Sequence, residues 1–159
     1  MISLNRDEFA KIALSILEDG HTLRFRARGE SMNPFIRNGD ILEVQPVSGD
    51  NYRRGDVLLC KLESQRIVAH RVISIQGEKG RRSLVMKGDS APCKDGITNY
   101  EQVLGRVVSV ERGGKEIRID STKQRLSALV WNYLVRNSYR LYWKLNSIRR
   151  KLYIFIQPM

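Results

Sequence analysis

Between Leu23 and Asp120 the apolar residues fall in short β-branched runs, Ile41 to Val44, Val57 to Leu62, Ile67 to Ile75 and Val103 to Val110, separated by turn residues. Runs of that length and composition read as strands, so this middle stretch is mostly β. Gly-Asp pairs at 39–40, 49–50, 55–56 and 88–89, together with Gly113-Gly114, punctuate it. Glycine supplies positive φ and aspartate bonds to nearby amides, which is the chemistry of tight turns. On either side the period changes. Phe9, Ile12, Ala13, Ile16 and Leu17 share one helical face, with Asn5 placed to cap that helix and Gly20 to stop it. After Asp120 and Ser121, both able to cap a helix, Leu126, Val130, Leu134, Leu141, Leu145, Ile148 and Leu152 recur at three- or four-residue steps, with one gap at Asn137.

The expected fold is therefore mainly β: an antiparallel core over residues 22–120, a short N-terminal helix in 1–21 and a long amphipathic helical region in 121–159. A chain of 159 residues suits one core, and 42% hydrophobic with 28% charged residues excludes a disordered, collagen-like or disulfide-scaffold class. Cys60 and Cys93 match no zinc-ligand spacing and read as reduced thiols. The first twenty residues are broken by Arg6, Asp7, Glu8, Lys11, Glu18 and Asp19, so they contain no apolar stretch of signal-peptide type. The longest apolar runs, such as Leu152 to Ile156, fall far short of the roughly 20 residues needed to span a bilayer.

The net charge of +11 is uneven. Residues 1–119 carry 20 basic and 16 acidic side chains, whereas residues 120–159 carry 8 basic and 1 acidic. Arg136, Arg140, Lys144 and Lys151 form a second stripe on the C-terminal helix, and Trp131, Tyr133, Tyr139, Tyr142, Trp143 and Tyr153 flank its apolar face. Basic residues beside Trp and Tyr suit an anionic membrane surface. Periodicity equally allows the apolar stripe to pack on the β core or on another protomer. The aromatic residues form no nucleic-acid recognition motif, so nucleic acid is not the expected partner.

The segment richest in chemistry is Gly29-Glu30-Ser31-Met32-Asn33-Pro34-Phe35-Ile36-Arg37-Asn38-Gly39-Asp40, where Gly and Pro fix the backbone around a serine just after a strand. A serine hydroxyl needs a neighbouring base to become nucleophilic. Of the two histidines, His21 falls at the helix stop, while His70 lies inside the run Ile67 to Ile73, on a face with Val68 and Val72 and opposite Ile67, Ala69, Arg71 and Ile73. His70 is the better candidate base.

Taken in order, Gly29 to Asp40, Arg54-Gly55-Asp56-Val57-Leu58, Ala69 to Ile73 and Met86-Lys87-Gly88-Asp89-Ser90 resemble the signal peptidase I superfamily over about residues 24 to 110. The resemblance is to its endoplasmic-reticulum-type branch, where His stands in the place a Lys holds in the common bacterial enzymes. It implies a serine endopeptidase with Ser31 as nucleophile within the Ser-Met-x-Pro signature, His70 as general base, and an acid orienting His70. Asp95 occupies the matching place after Gly88-Asp89 and is favoured for that role, with Asp89 the other candidate.

It further implies an oxyanion site begun by the Ser31 N–H, with Gly29 where some relatives place a second serine donor. The expected partner is a peptide or preprotein bound as an added β-strand, for which Leu23 to Arg28 offers an edge. No metal or organic cofactor is implied. The membrane span usual in that superfamily is not found in the thirty residues before Ser31, so the expectation is a cytoplasmic chain, with the basic tail as an anchor at the inner face of the cell membrane. The self-cleaving repressor proteases share the core but use a Lys base and add a helix-turn-helix, for which one helix before Ser31 is too little. A non-catalytic peptide-binding or scaffold protein that keeps the core is the alternative from another class.

Overall fold

Val57, Leu58, Leu59 and Cys60 are all buried, because the strand that carries them is covered on both faces in the computed structural model. The structure describes residues 6–47, 49, 51–62, 66–77, 82–91 and 96–155, and within those ranges describes side chains from 8 to 139. Helix α1 (Arg6–Glu18) leads into β1 (Leu23–Arg26), β2 (Ile41–Gln45), β3 (Val57–Lys61), β4 (Ile67–Gln76), β5 (Ser83–Lys87) and β6 (Gly96–Asn99). A single 3-10 turn, Tyr100–Gln102, precedes β7 (Val103–Arg112), β8 (Lys115–Arg118) and helix α2 (Thr122–Phe155).

The fold is mainly β. Among the described residues eight strands form one antiparallel sheet in the order β1-β2-β7-β3-β4-β5-β6, with β8 also paired to β7. One apolar layer gathers Leu42, Val44, Val57, Leu59, Val107 and Val110 under Ala13 and Leu17 of α1 and under Met32 and Ile36 of the β1–β2 connection. The other gathers Leu58, Cys60, Val72, Leu84 and Met86, bordered by Tyr52 and Tyr100, whose rings meet edge to face at 4.7 Å. Two apolar faces explain why Val57 to Cys60 show no polar alternation.

Helix α1 sits where its period predicts, although Ile12 is 42% exposed and the buried line runs through Ala10, Ala13 and Leu17. Asn5, the expected cap, lies outside the described residues. At α2 the Gln124 N–H donates to Ser121 Oγ at 3.3 Å, the bond expected of an N-cap serine. Ala128 and Asn132 face the sheet and are buried. The apolar stripe does the opposite: Leu126, Val130 and Leu134 are more than half exposed, so the described part of that stripe does not pack on the β core. Among the described residues no helix is long and apolar enough to cross a membrane.

Candidate active site

Ser31 is held by the segment that joins β1 to β2. Ala27 N–H donates to the Asp40 carbonyl at 2.7 Å and Gly39 N–H to the Ala27 carbonyl at 2.9 Å, closing the base of the loop. Within it, Ile36 N–H reaches the Met32 carbonyl at 3.0 Å, and the buried side chains of Met32 and Ile36 pin the turn to the core. Ser31, between these anchors and the solvent, is exposed. Asp40 braces the far end, accepting from the Arg37 N–H at 2.7 Å and from two nitrogens of Arg112 at 2.9 and 2.7 Å, while Arg112 also donates to the Phe35 carbonyl at 3.1 Å. Burial by itself would raise the Asp40 carboxyl, but the Arg112 guanidinium and the Arg37 amide outweigh it and hold the group below its ordinary 3.8.

The turn after β5 closes on the same serine. Ser90 N–H donates to the Ser31 carbonyl at 3.0 Å, and Ser90 Oγ–H lies within reach of the Ser31 and Glu30 carbonyls at 3.0 and 2.9 Å. Gly88 is in contact as well. A Cβ there would stand 2.6 Å from the Ser31 carbonyl oxygen, so only a residue without a side chain admits this approach.

His70 comes from β4, opposite Leu58 on β3, and its Nε2 lies 3.2 Å from Ser31 Oγ. Two groups 39 residues apart thus meet at one point, in the geometry by which a hydroxyl can pass its proton to an imidazole. Gly29 offers its N–H to Asn38 Oδ1 at 3.1 Å. His21, just past the end of α1, is exposed, and its backbone N–H donates to the Ile16 carbonyl at 3.0 Å, a capping bond made around Gly20 with its φ of 79°.

The neighbour of His70 points the other way. Arg71, opposite Val57 and Lys87, is 1% exposed and gives Nε and an η nitrogen to the two oxygens of Asp89 at 2.8 and 2.7 Å. Its remaining η nitrogen donates to the Gly55 carbonyl at 2.7 Å, and the guanidinium lies over the Phe35 ring at 5.2 Å. Asp89 also accepts from Asn132 Nδ2 at 2.6 Å, while Lys87 Nζ donates to Asn132 Oδ1 at 2.6 Å. Both Asp89 oxygens are therefore engaged on the Arg71 side of β4. Of the two candidate orienting acids, Asp89 has a structural part here, and Asp95, like Cys93, lies outside the described residues.

Ser31, Met32, Pro34 and His70 were singled out by sequence. Arg71, Lys87 and Asn132 as a buried network, Ser90 as the clamp on the serine carbonyl, and Arg112 as the loop brace were not. An arginine inside the apolar run Ile67 to Ile75 was the one available signal, since such a charge is buried only with a partner. Among the described residues no three His, Cys, Asp or Glu side chains stand close enough to hold a metal.

The Peptidase S24-like family matches residues 2–108, which hold Ser31, His70, the Gly88 turn and all but the end of β7. This chain belongs to that family. No curated protein and no solved structure matches it. As an S24-like protein it has the antiparallel β core expected of the wider superfamily, with α2 lying beyond the matched residues.

Proposed function

We propose that this S24-like protein is a serine endopeptidase of the signal peptidase type, in which Ser31 is the nucleophile and His70 the general base. One observation carries the reading: the 3.2 Å approach of His70 Nε2 to Ser31 Oγ on a rigid sheet. A peptide would add as a strand along the outer edge of β1, which pairs only with β2 among the described residues. Ser31 Oγ attacks the scissile carbonyl carbon as its proton passes to Nε2, and the oxyanion formed accepts from the Ser31 N–H. Nε2–H then protonates the leaving amine as the C–N bond breaks, which leaves an ester on Ser31. A water attacks that ester as His70 again accepts the proton, and Nε2–H then returns it to Ser31 Oγ as the ester C–O bond breaks, so the carboxyl product leaves with Ser31 and His70 restored. Asp95 is the acid that would hold the other ring nitrogen and stabilise the imidazolium.

The test is incubation with peptide libraries rich in small side chains, read by mass spectrometry. Ser31→Ala and His70→Ala should each remove cleavage by several orders of magnitude while the thermal transition stays in place. Asp95→Asn should lower kcat by about 10⁴-fold, as loss of the orienting acid does in a serine triad. Cleavage that survives Ser31→Ala would refute the assignment, and a folded wild type that binds peptide without cutting any would favour a binding module on the same core. Self-cleavage is distinguished by a rate independent of protein concentration.

A further inference from the structure

The two faces of α2 have different tasks. At 100° per residue, Arg125, Ala128 and Asn132 fall on one side, and the structure places them against the sheet: Arg125 Nε is 2.7 Å from Asp56, Ala128 is fully buried, and Asn132 joins Asp89 and Lys87. Leu126, Val130 and Leu134 fall on the opposite side and are 62%, 52% and 56% exposed. Trp131 and Tyr133 are exposed beside them. In the sequence Leu141, Leu145, Ile148 and Leu152 continue the three- and four-residue spacing of Leu126, Val130 and Leu134.

Charge decides what can cover it. Residues 120–159 carry 8 basic side chains and 1 acidic. A second copy laid along this face would set one strongly cationic helix against another, whereas an anionic lipid surface offers opposite charge to the flanks and an apolar layer to the stripe. Trp and Tyr bordering such a stripe match the depth at which amphipathic rings rest in a bilayer. A helix of this kind lies in the plane of the interface instead of crossing it.

We propose that the outward face of α2 seats this protein on an anionic lipid bilayer. Because the opposite face is fixed to the Gly55-Asp56 and Gly88-Asp89 turns, the second of which touches Ser31, the seated helix holds the candidate active site at a set attitude to the membrane. The docking involves no step of catalysis and stands or falls separately from the assignment of Ser31.

The experiment uses the full chain with phosphatidylcholine vesicles, with and without about one-third phosphatidylglycerol, read by co-sedimentation and by tryptophan emission. Binding should be at least about tenfold tighter to the anionic vesicles, weaken at high salt, and bring a blue shift. Leu126→Glu, Val130→Glu and Leu134→Glu together should cut binding about tenfold or more at an unchanged thermal transition, since all three positions face solvent. Arg136→Glu, also exposed, is the milder second variant and should weaken anionic binding alone. Ser31→Ala should bind like wild type. Equal binding to both vesicle types, no binding to either, or a triple variant that turns a dimer into a monomer without changing vesicle binding would each overturn the proposal.

Discussion

Gly88 has its place because the chain comes too close to Ser31 for any side chain. In Gly88→Ala the new methyl would stand 2.6 Å from the Ser31 carbonyl oxygen, a backbone atom held by Ser90 that cannot rotate away. The turn or the serine must move, and a shift of about 1 Å in a nucleophile costs on the order of 10²-fold in rate. On the proposed mechanism the outcome is a folded protein whose peptide cleavage falls by about that factor, with Ser90→Ala losing less because the Ser90 N–H bond remains; rates measured side by side decide it. Cys60 makes the converse case of a reactive type kept inert. Burial pushes its thiol up to about 12, and its Sγ rests 3.5 Å from Met86 Sδ. Iodoacetamide at mildly alkaline pH should leave Cys60 unmodified in the native protein and label it after denaturation, as read by peptide mass mapping. Labelling of Cys60 at the rate of a free thiol in the native state would show that β3 opens.

At the scale of elements, three Gly-Asp turns share one device. Asp40, Asp56 and Asp89 are each nearly or fully buried, and each meets an arginine from elsewhere: Arg112 of β7, Arg106 of β7 with Arg125 of α2, and Arg71 of β4. The sequence showed the turns and their glycines but not this, because a turn aspartate bonding its own loop and one reaching a distant guanidinium look alike in one dimension. His70 was legible for a physical reason: alternation inside a strand assigns a face, and β3 pairs with β4 in the register that puts it opposite Leu58. The short strands β6 and β8 left no such trace, since Gly96–Asn99 buries only Thr98 and Lys115–Arg118 buries nothing fully, so backbone pairing alone defines them. Nor could periodicity tell which side of α2 meets the sheet, because that side is chosen by Arg125 and Asn132, not by the leucines. Asn132→Leu tests the latch. It removes partners from Asp89 and Lys87 inside the protein, and should cost about 1 to 3 kcal/mol in urea unfolding, whereas Leu126→Ser on the outward face should cost less than about 0.5.

For the whole molecule, the ion pairs tie segments far apart in sequence into one sheet-centred body, so its stability must respond to pH. Asp40 and Arg112 are 72 residues apart and close the loop bearing Ser31 on the end of β7. The carboxyl is held below its ordinary 3.8 because Arg112 and the Arg37 amide overcome the opposing effect of burial, and the same pairing raises the Arg112 guanidinium. A depressed carboxyl binds its proton less readily folded than unfolded, so its contribution is complete above about 3.8 and disappears as acidification carries the pH down through the lower folded value. Asp40→Asn leaves Arg112 without its counter-charge at every pH. The stability gap between wild type and Asp40→Asn should therefore be widest near neutrality and shrink as the pH falls below about 4, which a series of urea titrations measures directly. A gap that stays constant through that range would mean that the folded structure does not favour the charged form of Asp40, and that the loop bearing Ser31 is braced by packing alone.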